Sequence, residues 1–349
     1  MASSTPPYIS CISLGMIIID EIHMPNRPAL IDVLGGSASF VTLGSRLFAK
    51  TPERVGCLLV AGDDFPETVR EEIESWGTTL AMKKREGEKS TRGKLVYEDD
   101  TFGPKTFTYS GAPLRATPTD LLNTPLLHAK AFHFFGTPEE VAAQKPELLQ
   151  LRKDNGIEER PFIVWEPLPA SCTSINQQAF LSACKHVDVF SPNHLELSSI
   201  FSNPPEVEFD TDKLESYAQT ILDSSMGTGG TGNIVIRAAE HGALSMSRTS
   251  RPTWLPAYYP KGAPEVVDTT GAGNAFLGGF IAGWQRTGDV RDAVGYGHVA
   301  ASFAVEGIGL PKVERVEGRV VCNGAGVAQR LEEYKRKLGE ASVKSERVL

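Results

Sequence analysis

Short apolar runs alternate with segments of helical period along most of the chain. Residues 8–14, 54–60, 131–135, 162–166, 187–190, 233–237 and 243–246 are apolar runs of strand length bounded by turn residues. That is the pattern of strands buried on both faces. Between the first two, Gly35-Gly36-Ser37-Ala38 leads into Val41, Ser45 and Phe48 at helical spacing. Gly62-Asp63-Asp64-Phe65-Pro66 turns into a helix with Val69, Ile73 and Trp76 on one face. Thr137-Pro138-Glu139-Glu140 is a capping box with proline at the first helical position, continued by Val141, Lys145, Leu148, Leu149 and Arg152. Residues 212–224 carry Leu214, Tyr217, Ile221 and Leu222 along one stripe, and residues 292–305 predict a nearly all-apolar, buried helix. From Gln329 a charged amphipathic helix runs into a solvated end.

Strands alternating with helices predict an α/β fold, a mostly parallel sheet covered by helices on both faces. Ligands of such sheets bind outside the carboxyl ends of the strands. Asp20, Gly35-Gly36, Asn193 and the Gly271 turn all follow strands or turns of that kind and point to one crevice. Residues 86–113 break the pattern. Charged residues and glycines there flank two β-prone pieces, Lys94-Leu95-Val96-Tyr97 and Thr106-Phe107-Thr108-Tyr109. Two readings stand: a small lid formed with residues 17–34, or a decorated surface loop.

Composition narrows the classes. Hydrophobic residues make up 41% of 349, enough for a substantial core, and the net charge of −8 argues against a nucleic-acid-binding face or a membrane-surface binder. No apolar run approaches a membrane span. Five scattered cysteines without a Cys-x-x-Cys pair read as reduced thiols of a cytoplasmic protein, and no secretory signal precedes Tyr8.

The stretch richest in chemistry is Asp268-Thr269-Thr270-Gly271-Ala272-Gly273-Asn274, a hydroxyl-rich turn entering a run of small and apolar residues. Glycines let the backbone approach a ligand, and the N–H groups of a helix start bind anions. Gly227 to Gly232 is also glycine-rich, but no Gly-Lys-Ser/Thr follows, so it reads as a solvated loop. Gly271-Ala272-Gly273 lacks the third glycine of a dinucleotide fingerprint, which argues against a nicotinamide-dependent oxidoreductase.

Asp268-Thr269-Thr270-Gly271-Ala272-Gly273, followed by Ala275-Phe276 and Gly278-Gly279, resembles the C-terminal signature of the PfkB (ribokinase-like) carbohydrate kinases. Gly15 with Asp20, the pair Gly35-Gly36, and Asn193-His194-Leu195-Glu196 resemble further motifs of that family in the same order. The resemblance implies one ribokinase-like domain over residues 8–330, with a small β lid from about 17–34 and 86–113 and a charged tail at 331–349. It implies ATP-dependent phosphoryl transfer with Mg²⁺ to a hydroxyl of a sugar or nucleoside-like substrate. Gly271, Ala272 and Gly273 would form the anion hole and Asp20, Gly35 and Gly36 would hold the acceptor. Asn193, Glu196 and Gly242 would lie at the nucleotide, with Glu196 reaching Mg²⁺ through water. Asp268 and Thr270 would hold a monovalent cation such as K⁺. Lid strands form a homodimer contact in this family. Taken singly, Asp20 reads as a strand end and Asn193 and Glu196 as a helix cap and its first-turn partner.

Three positions depart from the family pattern. Asn274 stands at the catalytic base, where the family has Asp; an amide cannot accept a hydroxyl proton near neutral pH, and losing a general base costs roughly 10²- to 10⁴-fold in rate. A catalytically impaired pseudokinase, binding nucleotide or sugar as a sensor or scaffold, is therefore the competing reading; in the active one, Glu166 or water takes the proton. Phe40 replaces an Asn and removes a polar contact to the sugar, and Arg237-Ala238-Ala239 replaces a Thr and a Gly beside the nucleotide. Trp165-Glu166-Pro167, Ile236-Arg237, Asn274 and Glu306-Gly307-Ile308-Gly309-Leu310-Pro311 are similar to the fungal maintenance-of-killer branch, which is known for a role in the stability of double-stranded RNA virus particles.

Overall fold

The computed structural model describes residues 8–99, 104–204 and 208–346. The apolar runs, buried on both faces, form the centre of a seven-stranded sheet. Its parallel part is β1 (Cys11–Ser13), β8 (Ala131–Gly136), β9 (Phe162–Pro167), β10 (Val189–Phe190) and β11 (Asn233–Arg237). Then β12 (Ala243–Ser247) and β13 (Ser250–Leu255) add antiparallel. A parallel pair, β4 (Gly56–Ala61) and β5 (Thr79–Lys84), continues the sheet beyond β1 through a bridge between Cys11 and Val55.

The two faces of this sheet differ in residue size. One presents Cys11, Ala131, Val164, Val189, Val235 and Ala243 to α1 (Ser37–Arg46), α7 (Ala272–Thr287) and α8 (Val290–Ala304). The other presents Ile12, Phe132, Phe134, Trp165, Phe190 and Ile236 to α3 (Pro138–Asp154), α4 (Gln177–Ala183), α5 (His194–Phe201) and α6 (Thr211–Asp223). Burying each large side chain stabilises the fold by about 1.5–3 kcal/mol. α2 (Glu67–Ser75) packs Val69 and Ile73 on β4, and Trp76 follows it into the same cluster.

Glycines set the spacing of α1 and α7. A Cβ on Gly44 would overlap the Ala275 carbonyl, and one on Gly278 would overlap that of Val41. Ser45 Oγ donates to the Gly278 carbonyl at 2.8 Å. The two helices therefore touch backbone to backbone.

Residues 86–113 are not a decorated loop. β6 (Arg92–Tyr97) and β7 (Lys105–Tyr109) form an antiparallel hairpin, and β2 (Ile18–His23) and β3 (Leu30–Gly35) complete a four-stranded lid in the order β3-β2-β6-β7. The β2–β6 pair is parallel. This small sheet forms because Leu95 and Tyr97 of the hairpin find partners outside it: they and Ile22 bury against Met24, Val33 and Ile308. At the C-terminus β14 (Val313–Val316), β15 (Arg319–Cys322) and β16 (Ala325–Gly326) make a small meander before α9 (Val327–Glu346). Leu331 and Tyr334 of α9 are buried with Tyr296 and Val299 of α8, so the boundary drawn at residue 331 falls inside a packed helix.

Candidate active site

Polar side chains at the carboxyl ends of the parallel strands form one connected chain. Ser13 and His133 are opposite one another in register on β1 and β8, and their Oγ and Nδ1 lie 2.9 Å apart. The other ring nitrogen, His133 Nε2, is 3.1 Å from Glu166 Oε2 on β9. That same oxygen accepts from Asn274 Nδ2 at 2.6 Å, while Glu166 Oε1 pairs with Arg237 Nη1 at 2.9 Å. Arg237 Nη2 donates to the Ser191 carbonyl at 2.9 Å and lies 3.6 Å from Glu196 Oε2. Glu196 and Asn193 close the chain as a reciprocal capping box of α5, with Asn193 N–H donating to Glu196 Oε2 at 2.7 Å and Glu196 N–H to Asn193 Oδ1 at 2.8 Å. The capping reading of these two residues is thus realised, and it places both beside Arg237.

The two glutamates are shifted in opposite directions. Burial alone would push the Glu166 carboxyl up, but Arg237, His133 and the Asn274 amide outweigh it and hold it below the ordinary carboxylate range. For Glu196 burial wins over Arg237 and the Asn193 N–H, with Glu166 adding to it, and pushes the carboxyl up to about 7. A carboxylate only accepts, so the hydrogen bond to Glu166 fixes the Asn274 amide with its NH₂ toward Glu166.

Asn274 lies in the first turn of α7. Its N-cap is Gly271, left-handed at φ 74°, and no side chain caps the helix start. N–H groups left free at such a start are of the kind that bind anions; here the Ala272 N–H donates to the Thr269 carbonyl at 3.3 Å. Phe40 fixes this turn. It is 3% exposed, and a Cβ on Gly271 would overlap its ring. Phe40 therefore supports the Gly271 turn from beneath, because its ring fills the space a side chain at 271 would need. Likewise a Cβ on Gly273 would overlap Arg237 Nη1, which places a guanidinium against the turn.

A cavity of about 760 Å³ opens beside it, lined by Asn193, Arg237, Gly242, Ala272, Gly273 and, further in, Tyr258 and His298. Its size suits a small-molecule cofactor. Gly242 at φ 92° turns the chain into β12, where a Cβ would strike the Leu255 carbonyl. His298 is 5% exposed, and its Nε2 has no hydrogen-bond partner among the described residues. Burial lowers its pKa to about 4, so the ring is neutral.

Asp20, Gly35 and Gly36 lie at the lid rather than in the cavity lining. The Asp20 carboxylate sits between Gly35 and Gly93, at either of which a Cβ would overlap it. Its Oδ1 is buried with no hydrogen-bond partner among the described residues, and burial pushes its pKa up to about 6. Gly36, at φ 89°, caps α1 and is pressed against the Met16 carbonyl.

Asp268 is 2% exposed and fully engaged. Tyr97 OH donates to Oδ2 at 2.6 Å, and Lys105 Nζ pairs with Oδ1 at 2.9 Å. Lys105 also donates to Thr270 Oγ1 at 2.6 Å. Both side chains come from the lid. Burial would raise the Asp268 pKa; Tyr97, the Thr270 N–H and Lys105 together lower it.

The chain belongs to the pfkB family of carbohydrate kinases, whose pattern it matches over residues 33–312. Among its relatives, an uncharacterised protein of Schizosaccharomyces pombe is 32% identical over 342 residues, 93% of this chain and 92% of the other. Protein MAK32 of Saccharomyces cerevisiae is 27% identical over 354 residues, 95% of this chain and 93% of the other. These two agree with the maintenance-of-killer branch. Among solved structures, a putative ribokinase II of E. coli in complex with ATP and Mg²⁺ superposes with a TM-score of 0.66 at 16% identity, covering 94% of this chain and 99% of that one. The ribokinase-like fold expected from the motifs is the fold observed.

Sequence reading missed four members of the site. Ser13 and His133 sit inside apolar strand runs and carry no motif. Lys105 and Tyr97 lie on the lid, where only the register of β6 and β7 brings them to Asp268. No helix among the described residues is long and apolar enough to cross a membrane, and no group of three or more metal-binding side chains occurs among them.

Proposed function

We propose that this chain binds a nucleoside triphosphate with Mg²⁺ in the cavity and a sugar or nucleoside-like compound beside Asp20, with phosphoryl transfer between them strongly attenuated. The observation that carries this reading is the 2.6 Å hydrogen bond from Asn274 to Glu166. The base position is filled by an amide whose donor end is committed to a buried carboxylate. Glu166 is no substitute base: both its oxygens are engaged, and its pKa is lowered.

The remaining chemistry supports binding. Phosphoryl transfer sites neutralise and position charge more than they do covalent work. The turn Gly271-Ala272-Gly273 offers N–H groups to a phosphate, and Arg237 adds a cation beside Gly273. Glu196 would reach Mg²⁺ through water, since that ion keeps several waters, with Asn193 and Gly242 lining the nucleotide. The E. coli structure similar to this chain holds ATP and Mg²⁺, which supports the same ligands here. Asp20, with one unpartnered oxygen, would accept from the hydroxyls of the second ligand. Ile31 at 60% and Phe107 at 42% exposure leave apolar surface on the lid for a second copy of the chain. Five buried free cysteines support a cytoplasmic, reducing setting.

A second reading, an active ATP-dependent kinase, is favoured by the intact anion turn. Calorimetry with Mg·ATP and an ADP-release assay over a panel of sugars and nucleosides separate the two. The proposal expects binding, with turnover roughly 10²- to 10⁴-fold below that of an enzyme with a base. Wild-type turnover at ordinary kinase rates, abolished by Gly273→Val, would overturn it.

A further inference from the structure

The family resemblance assigns Asp268 and Thr270 to a monovalent cation, and these residues do not fit one. Asp268 Oδ1 and Thr270 Oγ1, the two oxygens that would face the ion, both bond Lys105 Nζ, at 2.9 and 2.6 Å. Asp268 Oδ2 is taken by Tyr97 OH at 2.6 Å, and Asp268 Oδ1 further accepts from the Thr270 N–H and hydroxyl at 3.0 and 2.8 Å. The Lys105 Nζ also stands 5.5 Å from the centre of the Tyr97 ring, so the ring face shares in holding the charge. An ammonium is a compact point charge with three donors. It carries the same charge as K⁺ and meets the same kind of oxygens.

We propose that the Lys105 ammonium is the built-in cation of this site, making the Gly271 turn independent of potassium and dependent instead on the docked lid. A diffusible ion binds and leaves separately from the lid. Lys105 cannot, because it belongs to β7, and Tyr97 belongs to the neighbouring β6. Lifting these strands removes the cation and a hydrogen bond together, leaving Asp268 as a buried, uncompensated charge beside the anion turn. Any ligand that holds the lid down then strengthens the turn, and by reciprocity an anion at the turn holds the lid down. This last consequence rests on the proposed nucleotide site; the replacement of potassium does not.

Thermal melting of the ligand-free full chain is measured in potassium chloride and in choline chloride at equal ionic strength, for wild type and Lys105→Met. Wild type is expected to melt at the same temperature in both salts. Lys105→Met is expected to melt several degrees lower in choline and to recover saturably with potassium. A saturable, potassium-specific rise in wild type would overturn the proposal even if the variant failed to fold. A folded Lys105→Met that melts alike in both salts would overturn it too. Calorimetry with Mg·ADP in the same salts reads the coupling: wild-type affinity should agree within about twofold between salts, and Lys105→Met should lose tenfold or more in choline and regain it in potassium. Should no nucleotide bind at all, the melting results still decide the cation question.

Discussion

Asn274 and Glu166 meet side chain to side chain, the amide Nδ2 donating to Oε2 across 2.6 Å and tying the first turn of α7 to the end of β9. The negative charge at this contact thus sits on the strand, at Glu166, where Arg237 and His133 hold it, and not on the helix.

Restoring the base therefore takes two changes. Asn274→Asp alone sets two carboxylates in contact, and such a pair retains a proton to higher pH than either would singly. Its ADP-release rate should stay low near neutral pH and climb as pH rises. Glu166→Gln combined with Asn274→Asp keeps the hydrogen bond with its polarity reversed and should exceed Asn274→Asp by roughly tenfold at neutral pH, within the range a general base supplies. If the single variant is already fast and flat with pH, the pair is not coupled as described.

Gly271→Ala forces a side chain into a left-handed position and into the Phe40 ring. It should destabilise the chain by about 1–3 kcal/mol, read by denaturant unfolding. The double variant with Phe40→Ala should lose less than the sum of the two singles, because the clash disappears with the ring. Strict additivity would contradict the contact.

Glu196 titrates at about 7, above the ordinary carboxylate value. Its folded pKa is raised, so the stability it contributes is complete below the unfolded value and is lost as pH rises through about 7. Without Mg²⁺, melting temperature should fall across that interval, and Glu196→Gln should flatten the fall. Affinity for Mg·ATP should move the other way and increase with pH, since only the ionised carboxylate attracts the metal. An affinity independent of pH from 6 to 8 would remove Glu196 from the site.

His298 should select the nucleobase. Its neutral ring lines the cavity with an unpartnered Nε2, an acceptor suited to an exocyclic amine such as that of adenine. Guanine would present a carbonyl oxygen there instead. His298→Leu should narrow the preference for ATP over GTP by roughly tenfold, the worth of one hydrogen bond to a buried group. Equal loss for both nucleotides would show the ring acts only by packing.

Much of this architecture is legible in the sequence because it is written in short-range signals. The strand runs, the Thr137 capping box and the Gly271 turn each depend on neighbours within a few residues. The hairpin was legible as strands, and a lid with residues 17–34 was one of two readings; local signals could not decide between them, because Leu95 and Tyr97 bury against Ile22, Val33 and Ile308, far apart in the chain. The edge strand β13 (Ser250–Leu255) and β14 escaped because they are largely exposed and polar, and β15 and β16 because they are only four and two residues long. In the site, the glycine turn and the Asn193–Glu196 pair were readable from spacing. Arg237 stood out only as a departure. Lys105 had no local mark at all, since its partners Asp268 and Thr270 lie more than 160 residues away.

The backbone contact of α1 with α7 fixes one distance that side-chain changes leave untouched. The start of α1 carries Gly36, and the start of α7 carries the left-handed Gly271. Their separation is set by main-chain atoms meeting at Gly44 and Gly278, not by side chains that exchange readily. The distance between the Gly36 and Gly271 turns is thus fixed by the main chain, whereas residue 274 meets its neighbour Glu166 through its side chain alone. A substitution at 274 can therefore alter the chemistry at the start of α7 without altering how far that start stands from α1.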